Sequence, residues 1–146
     1  MSVRIAAAAT CLALGLAAPL AAQDAITYDF EGSFDDATFA VENAIVNQGL
    51  VIDSVSHVGD MLARTGEDVG SAQELFTGAD IFQFCSAVVS REVMEADPLN
   101  VVHCPYSIAV TERDGAVMIL HRSYPDGAMQ QVEDLLSTIV AEAGGS

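Results

Sequence analysis

The spacing of apolar residues changes several times along the chain, and each change predicts a new element of secondary structure. Short runs rich in valine, isoleucine and aromatic residues predict strands, whereas apolar residues three or four positions apart predict amphipathic helices. The stretch 65–78 is polar, contains glycine and shows neither pattern. The predicted strands are 26–30, 50–58, 79–85, 101–111 and 116–122, and the predicted helices are 34–48, 59–64, 86–96 and 129–140.

Capping and turn residues mark the boundaries of these elements. Ser33 is predicted to cap the first long helix and Gly49 to end it. Asp114 and Gly115 predict a tight hairpin, and a hairpin of this kind joins antiparallel strands. The sequence therefore predicts an α+β fold, in which one antiparallel or mixed sheet carries helices on one face. No repeat or linker divides residues 23–146, so they are predicted to form a single domain.

The strong acidity of the chain excludes two classes of partner. The 146 residues include 21 Asp or Glu and 5 Arg, with no Lys, which gives a formal net charge of −16. Nucleic acids and anionic membrane surfaces are bound through basic patches, and this chain has none. The hydrophobic fraction of 51% is high enough to build a core, so the sequence also argues against a disordered chain.

Residues 1–22 have the three parts of a secretory signal peptide. Arg4 supplies the positive charge of the first part, and an apolar run over 5–16 forms the second. Small residues then lead to an exit at Ala22, where we expect cleavage. Residues 23–146 are therefore expected in the bacterial periplasm or outside the cell.

The two cysteines of the expected mature chain are Cys85 and Cys104, since Cys11 lies within the signal peptide. They are 19 residues apart, and two thiols in an oxidising compartment usually form a disulfide. A structural disulfide is thus the favoured interpretation. The alternatives are a redox-active or metal-binding pair and two separate thiols. Cys85 directly precedes a predicted helix, whose first amide groups favour a thiolate.

His57 and Met61 are the candidate metal ligands. If 56–64 is helical, residues four positions apart lie on one face, and imidazole with thioether suits copper or haem iron. The alternative is a hydrogen-bonded, structural histidine. Motifs for structural zinc or covalent haem are absent from the sequence. A complete site needs further ligands, for which the candidates are Cys85, Cys104, His103 and a second subunit.

Three stretches and their spacing resemble the domain of unknown function 302 family. They are 84–86 (Phe-Cys-Ser), 94–98 (Met-Glu-Ala-Asp-Pro) and 104–110 (Cys-Pro-Tyr-Ser-Ile-Ala-Val). The stretch 49–61, with His57 near the strand end, also resembles the second strand and histidine of that family.

The resemblance covers residues 28–142 and implies a small α+β domain with a fold similar to that of the TATA-binding protein. It also implies a domain that is often dimeric, but it implies no particular activity. One difference is that Ser86-Ala87 follows the first cysteine, where the commoner form of the family has Asn-Pro.

Three functions remain open at this point. The first is a non-enzymatic periplasmic module that binds a soft metal, haem or a small apolar ligand near His57, Met61 and the cysteines. The second is a ligand-free interaction domain, expected to be a homodimer. The third is a thiol–disulfide redox protein that uses Cys85. No arrangement of acid, base and nucleophile is evident in the sequence, so a non-enzymatic function is favoured.

We predict that the exported protein lacks residues 1–22, because the signal peptidase removes them after Ala22. Intact-mass measurement of protein recovered from the periplasm tests this prediction. A mass that includes the first 22 residues would contradict it.

Overall fold

The structure is a computed structural model that describes residues 25–71 and 73–146. The predicted signal peptide lies outside the described residues. Within those residues, no helix is both long enough and apolar enough to cross a membrane. The described chain has the predicted α+β architecture, a single sheet with helices on one side.

Five antiparallel strands form one open sheet. The strands are Ala25–Phe30 (β1), Val51–His57 (β2), Gly78–Cys85 (β3), Tyr106–Arg113 (β4) and Ala116–Arg122 (β5). Their order across the sheet is β1-β5-β4-β3-β2, so β4 is central and β1 and β2 are the edges. The helices are Phe34–Asn47 (α1), Val58–Thr65 (α2), Ala87–Ala96 (α3) and Gln130–Glu142 (α4).

The core lies between the sheet and the helices. Alternate residues of β4 point into it, and Ile108 and Val110 are completely buried there. Ile45 of α1 and Leu136 of α4 belong to the same buried cluster. Burying a side chain of this size contributes about 1.5–3 kcal/mol, so this face of the sheet supplies much of the stability.

Local signals in the sequence account for the ends of α1 and for the β4–β5 hairpin. The Ser33 hydroxyl accepts a hydrogen bond from the Asp36 amide at 3.1 Å, and the Asp36 carboxylate accepts one from the Ser33 amide at 3.2 Å. These bonds form a capping box. The pKa of Asp36 is lowered by the Ser33 hydroxyl, which donates to the same carboxylate at 2.6 Å, and by the Ser33 amide. Asp114 and Gly115 both have positive φ, at 53° and 78°, as a hairpin turn requires.

The predicted strand over 101–111 is wrong in its first part. Residues Pro98–His103 form a 3₁₀-helix, and β4 begins only at Tyr106. The physical reason lies at the start of the 3₁₀-helix, where the Asp97 carboxylate accepts a hydrogen bond from the Leu99 amide at 2.9 Å. Proline at the first position favours such a turn, and these local interactions outweigh the strand preference of the valines that follow.

Each of the two edge strands has its own irregular feature. In β2 the pairing with β3 shifts between Ile52 and Ser54, which is a β-bulge. Beside β1, the Asp29 amide donates to the Ser146 carbonyl at 2.9 Å, and the Ser146 amide donates to the Asp29 carbonyl at 3.1 Å.

His121 of β5 is a buried polar residue on the helix side of the sheet. Its Nδ1–H donates to the Arg122 carbonyl at 2.8 Å, so the Nε2 atom of the neutral ring accepts from the Tyr28 hydroxyl at 3.2 Å. Ser137 of α4 bonds to the same hydroxyl at 3.1 Å. Burial lowers the pKa of His121 because it disfavours the charged ring.

We predict that His121 makes the protein less stable in acid. The unfolded chain takes up the proton more readily than the folded one, so the stabilisation is present above about pH 6.5 and is lost as the pH falls further. Chemical unfolding between about pH 7.5 and 5 tests this, with His121→Phe as the variant that cannot titrate. The free energy of unfolding should fall further in the parent than in the variant, whereas parallel curves would contradict the prediction.

Candidate functional site

The candidate site lies where the end of β3 meets the start of β4. Cys85 is the last residue of β3, and Ser86, which follows it, caps α3 by accepting a hydrogen bond from the Val89 amide at 3.3 Å. Cys104 follows the 3₁₀-helix and precedes β4. Because Phe84 pairs with Tyr106 in the sheet, the two cysteines come to the same end of adjacent strands.

The sulfur atoms of Cys85 and Cys104 are 2.8 Å apart. This separation is shorter than the contact distance of unbonded sulfur atoms, yet both residues are free thiols in the structure. Cys85 is exposed and Cys104 is half-buried. The arrangement brings the two predicted residues together, and the disulfide between them stays a prediction.

A serine and a tyrosine form a polar connection behind Cys104. The Ser90 hydroxyl lies 3.6 Å from the Cys104 sulfur and donates to the Tyr106 hydroxyl at 3.0 Å. Tyr106 is buried and packs edge-on against Tyr124, with ring centroids 6.4 Å apart. His103 contacts the other side of this aromatic group, at 5.7 Å from the Tyr124 ring. One sulfur is thus held among polar and aromatic groups while the other faces solvent.

The surroundings of Cys85 disfavour its thiolate. Although the residue as a whole is exposed, partial burial of its sulfur is the main cause, followed by the hydrogen bond and charge interaction with Cys104 and then the negative charge of Asp53. Together they raise the pKa of Cys85 to about 11 from an ordinary value of 9.0. The direction is opposite to the one expected from the helix start next to this residue. The cap explains the difference, because Ser86 rather than Cys85 accepts the hydrogen bond from the first turn of α3.

His57 lies at the other end of the β2–β3 pair. Its Nδ1 atom is 2.7 Å from Oδ1 of Asp80, its partner in the sheet register, and the histidine side chain is 60% exposed. Val51 at the start of β2 pairs with Cys85, so about six residues of strand, roughly 20 Å, separate His57 from the cysteines.

His57 and Met61 do not lie on one face of a helix, although the sequence predicted that they could. The expectation required both residues to be helical, but His57 ends β2 and α2 begins at Val58. Met61 lies in α2, with its sulfur 3.8 Å from the Thr65 hydroxyl. In the described part of the chain, no three side chains of His, Cys, Asp or Glu are grouped in a way that could hold a metal ion.

Comparison with known proteins identifies the family. The model of the domain of unknown function DUF302 matches residues 26–144. The chain belongs to the DUF302 family. The fold of this DUF302 domain is similar to the crystal structure of an uncharacterized conserved DUF302 protein from Bacillus stearothermophilus, with a TM-score of 0.59 and 15% sequence identity. The similarity covers 84% of this chain and 92% of that one. No curated protein matches the chain.

The family assignment agrees with the resemblance carried by the stretches around the two cysteines, and the shared fold supports it. The homodimer and the periplasmic location stay predictions. Sequence reasoning missed Ser90 and Tyr106 as neighbours of Cys104. Tyr106 lies two residues after Cys104 in the sequence, which could have indicated that the two are close. Ser90 lies one helical turn after the Ser86 cap, which could have indicated that it is on the same face of α3 as the start of the helix.

We predict that Cys85 of the reduced DUF302 domain is alkylated slowly near neutral pH. The thiolate is the reacting form, and a pKa of about 11 lowers its fraction at about pH 8 on the order of 100-fold relative to a thiol with the ordinary pKa. The more basic thiolate is also the more nucleophilic, so the alkylation rate should be about tenfold lower. The rate of iodoacetamide labelling at Cys85, followed by peptide mass spectrometry, should rise until about pH 11. Glutathione labelled in parallel is the control, and an equal rate for both thiols at about pH 8 would contradict the prediction.

Proposed function

We propose that this DUF302 domain is a thiol–disulfide exchange module in which Cys85 and Cys104 alternate between two thiols and a disulfide. The observation that carries the proposal is the 2.8 Å approach of two sulfur atoms, one of which is exposed. The oxidising compartment expected from the N-terminal segment supports it, because a disulfide persists there.

The exposure of the two sulfurs favours Cys85 as the atom that a partner attacks. A partner thiolate approaches the Cys85 sulfur of the disulfide, a bond forms between these two sulfurs, and the Cys85–Cys104 bond breaks. The electron pair goes to the Cys104 sulfur, which then takes a proton. The product is a mixed disulfide between Cys85 and the partner.

Ser90 supports the departure of Cys104. Its hydroxyl lies 3.6 Å from the Cys104 sulfur and can turn to donate a hydrogen bond to the negative charge that develops there. The Tyr106 hydroxyl, 3.0 Å from the same oxygen, can then donate to Ser90. Cys104 is therefore the sulfur whose surroundings fit a leaving group.

A second thiolate of the same partner completes the exchange. It attacks the partner sulfur of the mixed disulfide, and the Cys85 sulfur takes the electron pair and a proton. Two partner thiols are oxidised to a disulfide, and the disulfide of the domain is reduced to two thiols. Because the pKa of Cys85 is about 11, its thiolate leaves poorly and the mixed disulfide is long-lived.

The same pKa governs how readily each form of the domain reacts. In the reduced domain Cys85 is a thiol at neutral pH and attacks other disulfides slowly. The oxidised domain is the reactive form, since the attacking thiolate then comes from the partner. Exchange with the disulfide of another exported protein returns the domain to this oxidised form.

Binding of copper or haem at His57 and Met61 has less support. The Asp80 carboxylate holds the His57 ring in the way that carboxylates orient metal-binding histidines, and this favours a ligand role. However, copper or haem at this end of the sheet would lie far from both cysteines, and Met61 does not share a helical face with His57. We therefore place the function at the cysteine pair.

We predict that the domain equilibrates with glutathione and forms its mixed disulfide at Cys85. Acid-quenched samples from buffers of graded thiol-to-disulfide ratio should contain the intramolecular disulfide, two thiols and one glutathione adduct. Peptide mass spectrometry should map the adduct to Cys85. The Cys104→Ser variant should accumulate a glutathione adduct at Cys85, because it has no second thiol that can displace the glutathione.

Two further variants test the leaving-group assignment within the same experiment. Ser90→Ala should slow reduction of the disulfide by up to about tenfold, the value of one hydrogen bond to a charged group. Ser54→Ala is the matched control, since it removes an exposed hydroxyl that bonds to Gln83 in β2 and β3. Failure of the disulfide to form in oxidised glutathione, or an adduct at Cys104, would overturn the proposal.

A further inference from the structure

Exposed apolar side chains lie on or beside the elements that carry the cysteine pair. Five large hydrophobic residues of β2, α3 and the 3₁₀-helix are between 55% and 74% exposed, although most residues of this size are buried in the core. We call this group the apolar rim. Its members are Val51, Val88, Leu99, Val101 and Val102.

Each part of the apolar rim is tied to one of the cysteines by the fold. Val51 of the edge strand β2 is the register partner of Cys85, and Val88 lies in the first turn of α3, which starts just after Cys85. The Val101 carbonyl accepts a hydrogen bond from the Cys104 amide at 3.1 Å. Leu99 and Val102 belong to the same 3₁₀-helix. The side-chain amide of Asn100 connects this helix to α3 by donating a hydrogen bond to the Val93 carbonyl at 2.8 Å.

Carboxylates lie beside this apolar surface. Asp53 is two residues from Val51 and close enough to act on the Cys85 sulfur by its charge. Asp97 begins the 3₁₀-helix that carries three members of the apolar rim. The formal net charge of −16 adds to this local negative potential. An apolar surface with acidic surroundings is complementary to a segment that is apolar in its middle and basic at its ends.

We propose that the apolar rim docks an extended segment of a partner protein, in which apolar residues flank the reacting cysteine and basic residues lie beyond them. This inference rests on the proposed function and names the partner of the same site. A partner sulfur must approach Cys85 in line with the Cys85–Cys104 bond. An extended chain advances about 3.3 Å per residue, so the residues on both sides of that sulfur lie over the apolar rim.

The charge of the chain disfavours a second copy as the occupant. Two copies would bring the carboxylates near Asp53 and Asp97 together, within molecules that each have a formal net charge of −16. Like charges at an interface oppose association, whereas a basic segment is attracted.

Three cysteine peptides provide the test with the oxidised domain. One has valine and leucine beside the cysteine and lysine at both ends, the second replaces the lysines by glutamates, and the third replaces the apolar residues by serines. The measured quantity is the second-order rate of domain reduction. The test variant is Val88→Thr with Val102→Thr, and its matched control is Val46→Thr with Val69→Thr. Both control positions are exposed valines outside the apolar rim.

For each peptide, the reduction rate of the parent domain is divided by the reduction rate of the test variant. This ratio cancels the effect that the charges of the peptide have on the pKa of its own cysteine. This ratio should be at least about threefold for the apolar basic peptide and near one for the serine peptide. The glutamate peptide should be slower than the lysine peptide by about tenfold. The control variant should behave like the parent, and unchanged unfolding midpoints show that the threonines leave the fold intact.

The outcomes separate this inference from the function on which it rests. Equal ratios for all three peptides, with normal glutathione exchange, would overturn docking and leave the exchange function in place. A domain that no thiol reduces would overturn both. A dimer in sedimentation equilibrium that the Val88→Thr, Val102→Thr variant dissociates would assign the apolar rim to a second copy, and would also overturn docking of a partner segment.

Discussion

The antiparallel register between β3 and β4 is the constraint on which the candidate site depends. Phe84 pairs with Tyr106, and this pairing places Cys85 at the end of one strand beside Cys104 before the next. A shift by one residue would turn Phe82 and Ile108 from the core to the other face, so the buried side chains hold the register firmly. The position of the two cysteine sulfurs at the end of the sheet is therefore fixed by packing in the interior.

The site divides its two sulfurs between different surroundings. Cys104 lies between the 3₁₀-helix and β4, near Ser90 and above the buried ring of Tyr106, and these contacts limit its movement. Cys85 ends its strand at the surface, where the chain turns into α3. In the proposed exchange, Cys85 is the sulfur that the partner attacks and Cys104 is the first leaving group, so the attacking step does not require a thiolate of the domain.

Features that depend on neighbours in the sequence were predicted, and features that depend on distant pairing were not. The capping box at Ser33 and the hairpin at Asp114 and Gly115 are formed by residues within four positions of one another. The contact of His57 with Asp80 joins residues 23 apart, and no local pattern indicates it. The sequence predicted that the two cysteines would meet, from compartment and resemblance. The position of Ser90, one helical turn after the Ser86 cap, was not used to predict its contact with Cys104.

The two edge strands of the sheet affect whether an extended polypeptide can add to it as a further strand. Open edge strands are templates on which further strands add, and proteins that meet unfolded chains risk aggregation by this route. Here the backbone of Ser146 already occupies part of the free side of β1, and β2 carries a bulge between Ile52 and Ser54 in its pairing with β3. Such a bulge increases the local twist of β2 and so disrupts the regular edge that continuous strand addition, the first step towards a fibril, requires.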